Sequence, residues 1–291
     1  MENYKYYLTF DVGIKNLAYC LGRYDKTKNI SEGLDILEWG ILDASYKPLI
    51  CKNTVNLRKV CNKKSIYYLL KEGIEDNKIN HNDSNNMIGY CQQHSTELKI
   101  KNKNAYKSLC RVSKNSLFEN SFNVQVERIM KVLENFYNKK IMSIYDIKET
   151  GTETENYIIN NLDVYIENQP AFKNPIMKTI STIILTYFSL KKIINSDKIR
   201  SVSFISPKEK TEMTFITNMK NLIKINPKIP VNFKDYTERK DFAIDATNQI
   251  IGKLNKSIFN IVSSVNYDLS IKKDDMADTL LYIISVIISK K

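Results

Sequence analysis

The sequence predicts an α/β fold: a mixed sheet flanked by helices, interrupted by a small Cys/His-rich insertion. Three observations predict it. Tyr6–Asp11, Leu17–Tyr24 and Asp35–Asp43 are strand-length apolar or alternating runs separated by short polar turns, which reads as an antiparallel meander. A strand over Leu162–Glu167, a helix over about 174–194 and a strand over Ser201–Ile205 form a βαβ succession, which places its two strands parallel. Between these sets, from Cys51 to about Ile100, the chain turns polar and rich in Asn and Lys.

The first hairpin holds Leu8-Thr9-Phe10-Asp11-Val12-Gly13, an apolar run that delivers one carboxylate at the strand end before a glycine breaks the pattern. A second apolar run, from Leu17, starts at once. Lys26–Gly33 reads as the next connection, and Trp39, the only tryptophan, as a residue packed beneath the sheet. The boundaries that follow are a main domain, 1–50 with 101–291, and an inserted subdomain, 51–100.

Within the insertion Asp76–Asn86 has almost no apolar anchor and reads as a flexible loop. Cys91-Gln92-Gln93-His94 has a spacing that lets both side chains reach one tetrahedral ion, and Cys51 and Cys61 complete a Cys3His set suited to structural Zn2+. His81 is an alternative ligand. A polar insertion of this size cannot build its own core, so a metal would organise it. Cys20 and Cys110 read as packing residues.

Ser121–Tyr137 carries apolar residues at helical spacing, and 139–160 is a mixed acidic and threonine-rich connection. Leu162–Glu167 again ends on a carboxylate, and Pro170 forbids further strand. Residues 211–232 read as one helix and a Pro-bounded loop, and Tyr236 opens a helix to about Leu254. Asp274-Asp275-Met276-Ala277-Asp278 leads into the C-terminal helix, with Asp275 and Asp278 on one face.

Asp11, Glu167, Asp275 and Asp278 thus form a four-acid set from two strand ends and a helix start. Crowded carboxylates need cations, and an all-oxygen set suits Mg2+, with Mn2+ as an alternative. Two such ions promote phosphodiester hydrolysis. Lys210 or Lys240 would meet the scissile phosphate. The chain has 291 residues and a net charge of +12, which fits a polyanionic partner, although a coding bias toward Lys, Asn and Ile produces the same excess. No signal-peptide pattern opens the chain, and five scattered cysteines argue against a secreted disulfide scaffold, so the expected location is intracellular, cytoplasm or nucleus. Ile176–Ile194 carries polar residues, and Met276–Ser289 is too short at about 14 residues against the roughly 20 a membrane span needs. No membrane association and no small-molecule cofactor are expected.

In their order, Asp11–Ala18, Ile166–Pro170, Ser206-Pro207-Lys208, Tyr236–Ile244 and Asp274–Asp278 resemble the successive motifs of RuvC-type Holliday junction resolvases. The branch of poxviruses and other large DNA viruses, similar also to fungal mitochondrial resolvases, is the nearest. The resemblance implies an RNase H-like five-stranded mixed sheet and a homodimer that makes paired symmetric nicks in four-way DNA junctions. It also implies Mg2+ held by Asp11, Glu167, Asp275 and Asp278, with a lysine, Lys210 or Lys240, at the phosphate. Asp274 is left without a role, and the 51–100 insertion departs from compact resolvases. If the source is viral, the site of viral replication is the implied location.

Three other readings compete. Asp-x-Gly hairpins also open sugar kinases and actin-like ATPases, but those need further glycine-rich phosphate turns and this chain has 8 glycines, none clustered late. A nuclease of the same fold acting on flaps, forks or RNA–DNA hybrids is the second. A junction-binding protein without catalysis is the third.

Overall fold

The computed structural model describes residues 3–13, 16–44, 51, 53–55, 59–63, 65–70, 87–111, 122–142, 161–172, 174–194, 198–230, 233 and 235–290. The sequence-predicted loop 76–86, with His81, and most of the 139–160 connection lie outside the described residues. The chain divides into two compact units, Met1–Ala44 with Ile129–Lys291, and Ser45–Arg128.

The larger unit is built on a five-stranded sheet of β1 (Tyr4–Asp11), β2 (Asn16–Asp25), β3 (Leu34–Asp43), β4 (Leu162–Glu167) and β5 (Ile199–Ile205). The spatial order is β5-β4-β1-β2-β3. β1 pairs antiparallel with β2 and β2 with β3, whereas β1 with β4 and β4 with β5 are parallel. A meander joined at its first strand to a βαβ unit is the RNase H-like arrangement, so the expected fold is present.

Alternation along the strands decides what each face holds. Tyr6, Leu8 and Phe10 of β1, with Leu162, Val164 and Ile166 of β4, enter one core with Ile129, Leu133 and Phe136 of α1 (Phe122–Phe136). Ile180, Ile184 and Phe188 of α2 (Pro175–Ile194) close that core. Tyr7 of β1, with Cys20, Ile36 and Trp39, enters the opposite core. There the sheet meets α3 (Met213–Ile223), α4 (Tyr236–Lys253), α5 (Ile258–Leu269) and α6 (Lys273–Ser289). Apart from Asp278, α6 is buried from Met276 to Ile288, packing on β1 and β2 and also on α4 and α3. A helix covered on both sides must be apolar all round, which is why its C-terminal part shows no polar stripe.

The strand limits match the sequence expectation to within two residues, and Trp39 is buried as expected. Two elements differ. Residues 26–33, expected as a plain connection, contain a short helix, Ile30–Gly33, capped by Asn29 accepting from the Glu32 amide at 3.0 Å. α5 lies where no helix was expected.

The smaller unit holds a hairpin of Thr54–Val55 with Lys59–Val60. It also holds a three-stranded antiparallel sheet of Met87–Tyr90, Tyr67–Leu70 and Cys110–Arg111, and helices Gln92–Lys101 and Lys103–Lys107. Cys20 is fully buried in β2, but Cys110 is exposed on an edge strand. The expectation that Cys110 packs inside is therefore corrected, because among the described residues its unit offers no apolar core to enter.

Candidate active site

β1 and β4 are neighbouring parallel strands with Phe10 opposite Ile166, so Asp11 and Glu167 follow at the same end of the sheet. Phe10 and Ile166 face the α1–α2 core, and alternation therefore turns Asp11 and Glu167 to the other face. That face carries α6, whose first two turns hold Asp275 and Asp278. Asp11, Glu167, Asp275 and Asp278 line one cleft of about 710 Å³ with Lys210, Lys240, Lys208, Arg239 and Tyr236. All six residues expected from the sequence at the acid site are thus brought together.

Hydrogen bonds that the sequence did not reveal fix α6 against the sheet. The Thr9 hydroxyl, two residues before Asp11 and on the same face, donates to the Thr279 carbonyl at 2.8 Å. Trp39 of β3 donates its indole N–H to the Met276 carbonyl and to Thr279 Oγ1, each at 3.0 Å. Its ring stacks on Tyr267 of α5, with 4.6 Å between centroids. These contacts hold the turn bearing Asp275 and Asp278 at the level of Asp11. A polar residue in an apolar strand and a lone tryptophan were the available signals, but neither names its partner.

The turn after β1 requires glycine, because a Cβ on Gly13 would lie 2.1 Å from the Asn16 carbonyl oxygen. After β5, a turn at Glu209–Thr211 returns Lys210 to the acids. Lys210 pairs with Asp278, and its ammonium lies 4.7 Å from the centre of the Tyr282 ring. Lys240 on α4 pairs instead with Asp274, and sits 4.6 Å from the Tyr236 ring centre. The two candidate lysines therefore have different neighbours: Lys210 feels Asp278, Glu167 and Asp11, and Lys240 holds the acid for which the sequence suggested no task.

Burial and mutual repulsion set the protonation of the cluster. Asp11 is pushed well above the ordinary carboxylate range, by burial first and then by the Glu167 carboxylate. Burial, then Asp11, raises Asp275. Burial also raises Asp278, against the pull of Lys210. Lys210 itself is raised, because Asp278, Glu167 and Asp11 outweigh its desolvation. Lys210 pairs with only one of the four carboxylates and Lys240 with Asp274, and burial still raises Asp11, Asp275 and Asp278, so the cluster is short of positive charge. An all-oxygen donor set with that deficit fits a hard divalent cation.

No family model matches the sequence. The chain is 24% identical over 323 aligned residues to Uncharacterized protein L451 of Acanthamoeba polyphaga mimivirus, a match covering 94% of this chain and 72% of that protein. Among solved structures it has a likeness to the yeast mitochondrial Holliday junction resolvase Ydc2, at a TM-score of 0.42 and 12% identity, covering 98% of this chain and 79% of that one.

The sequence-predicted Cys/His set is also brought together, in the smaller unit. The ligand atoms of Cys51, Cys61, Cys91 and His94 all lie within 4.8 Å of one another. Among the described residues no helix is long and apolar enough to cross a membrane.

Proposed function

We propose that the chain is a metal-dependent endonuclease that hydrolyses phosphodiester bonds in branched DNA, with the four-way junction as its preferred substrate. The observation that carries this reading is the carboxylate cleft. Asp11 and Glu167 end adjacent central parallel strands, on the face that meets Asp275 and Asp278. The order of motifs shared with RuvC-type resolvases supports the choice of substrate.

Asp11, Glu167, Asp275 and Asp278 would hold Mg2+, which when bound supplies a water nucleophile and stabilises the leaving oxygen. Lys210 would face the scissile phosphate from inside the cluster, its charge kept by three surrounding carboxylates. Exposed Lys208 and Arg239 would grip phosphates on either side of the cut. Tyr236, 63% exposed on the same cleft, gives an unpaired base at a branch point a surface for stacking. Two copies of the chain would act together, one cut each, giving paired nicks in strands of like polarity.

The test is cleavage of a synthetic four-way junction beside linear duplex, fork and flap, with Mg2+ present or omitted, for wild type and Asp11→Asn. Symmetric paired nicks on the junction, absent without Mg2+ and in the variant, are expected. Equal cutting of forks and flaps would make it a general branched-DNA nuclease. Binding without any metal-dependent cutting would leave a binding protein.

A further inference from the structure

The smaller unit poses a folding problem. Among its described residues the only buried ones are Cys51, Ser65, Gly89, Cys91, His94 and Ser95. Among the described residues no aliphatic or aromatic side chain is buried there, so the hydrophobic effect supplies these segments with no apolar centre. Three thiols and an imidazole occupy the place where a core would lie.

Backbone geometry assembles this group from three segments. Cys51 and Cys61 lie on the two arms of the hairpin, Cys61 opposite Asn53 and Cys51 opposite Lys63. The Cys51 amide donates to Lys63 at 2.8 Å, the Cys61 amide to Asn53 at 2.8 Å, and the Asn62 amide to Cys51 at 2.9 Å. Asn62 takes a left-handed conformation, φ 54°, to make the bend. Cys51 also bridges in parallel to Gly89, on the strand that runs directly into Cys91. Cys91 then caps helix Gln92–Lys101 with its side chain free of any capping bond, and His94 follows in the first turn.

We propose that Cys51, Cys61, Cys91 and His94 bind one Zn2+ ion and that this ion is the core on which the unit Ser45–Arg128 folds. The spacing fits a single tetrahedral ion. Zn–S and Zn–N bonds of about 2.3 and 2.0 Å imply S···S separations of about 3.8 Å and S···N separations of about 3.5 Å. Cys61 and Cys91 sulfurs lie 3.8 Å apart, and His94 Nδ1 is 3.2 Å from the Cys51 sulfur and 3.3 Å from that of Cys91. A disulfide needs about 2.05 Å, and all three cysteines are free thiols. Four ligand atoms within 4.8 Å leave room for one ion, not for a multi-iron cluster.

The surroundings match those of a metal ligand set. His94 turns Nδ1 toward the sulfurs while its Nε2 lies on the side of the Glu97 carboxylate, 3.8 Å away, where a carboxylate can support a ligating imidazole. The Asn53 side-chain amide donates to the Cys51 sulfur at 3.4 Å, a contact suited to a thiolate. Sulfur-rich tetrahedral coordination selects a borderline or soft ion over Mg2+, so this site and the carboxylate cleft take different metals.

The full chain, produced in zinc-replete cells, is assayed for bound metal by elemental analysis and, after exchange, for its Co2+ spectrum. About one zinc per chain beyond any Mg2+, and a Co2+ spectrum with thiolate charge-transfer bands and intense tetrahedral d–d bands, are expected. Cys61→Ser and His94→Ala should lose the zinc, and Cys110→Ser should keep it. Withdrawing zinc with a nitrogen-donor chelator in excess Mg2+ should expose Ser45–Arg128 to proteolysis while leaving the larger unit resistant. Should Cys61→Ser fail to fold, the wild-type Co2+ spectrum decides by itself, because its charge-transfer intensity counts thiolates. Zinc-free protein that gives no thiolate bands with Co2+, zinc retained in Cys61→Ser, or iron with sulfide in place of zinc would each overturn the proposal.

Discussion

Two acids on the same face of the sheet respond to their surroundings in opposite directions. Burial alone would push Asp163 up, but Arg200 and Ser201, hydrogen-bonded to it at 2.8 and 2.5 Å, and Lys290 at 3.2 Å hold it below the ordinary carboxylate range. Its folded pKa is depressed, so its stabilising contribution is present above the unfolded value of about 3.9 and is lost as pH falls through the folded value. For Asp11, burial and then the facing Glu167 outweigh the pull of Lys210 and the Val12 amide, so its folded pKa is raised. Between the unfolded and folded values the native state binds more protons, and stability falls as pH rises through that window. At neutral pH the metal-free cluster is therefore a cost to the fold. Asp11→Asn should abolish Mg2+-dependent cutting and yet raise the metal-free melting temperature at pH 7.5 by a few degrees, about 1 kcal/mol. Its stability should also fall less steeply with pH. Thermal denaturation of wild type and variant from pH 5 to 8 measures both effects; an unchanged or lower midpoint would mean that Asp11 is not under strain.

At the scale of elements, α5 shows how hydrogen bonding overrides hydrophobic pattern. Of its three buried residues Tyr267 stacks on Trp39 and the other two are polar: Asn260 accepts from the Ile36 amide at 2.8 Å and donates to the Leu34 carbonyl at 3.0 Å, and Ser263 donates to the Ile36 carbonyl at 2.8 Å. These side chains satisfy the outer edge of β3, which would otherwise offer free backbone groups to another strand. The outward residues Ile258, Val265 and Leu269 are exposed. Asn260→Ala would leave a buried amide and carbonyl unpaired and should cost about 2–3 kcal/mol in urea denaturation, with junction cutting at permissive temperature unchanged. The inverted pattern also explains why this helix was illegible: hydrophobic periodicity assumes that apolar residues point inward. Where that assumption holds, the sequence was readable. The runs ending at Asp11 and Glu167 are apolar, of strand length and closed by a carboxylate, so both acids and the sheet could be read. Choosing between Lys210 and Lys240 needed the turn after β5 and the pairing with Asp278, which are facts of distance. The Cys/His set was readable because Cys91 and His94 share a helical turn, whereas the approach of Cys51 to Cys61 depends on the intervening hairpin.

For the whole molecule, a net charge of +12 has two explanations that predict different salt behaviour. If it reflects coding bias alone, cations are spread evenly and no single one matters to DNA affinity. If it serves binding, the cations that count are those on the cleft, since the four acids repel phosphate and only adjacent positive charge can draw the backbone toward them. Lys208 and Arg239 line the cleft and are exposed, whereas Lys210 and Lys240 are paired with Asp278 and Asp274. Each phosphate contact releases counterions and adds about 0.9 to the slope of log affinity against log salt. Lys208→Gln and Arg239→Gln should therefore each lower that slope by about 1, weakening junction and duplex binding alike, because phosphate contacts position the strand without reading its sequence. Fluorescence anisotropy over a salt series, in the Asp11→Asn background to prevent cutting, measures the slopes. Lys253→Gln, at the far end of α4, is the control: a change equal to that of Lys208→Gln would mean that the field of the whole surface, not the cleft, holds the DNA.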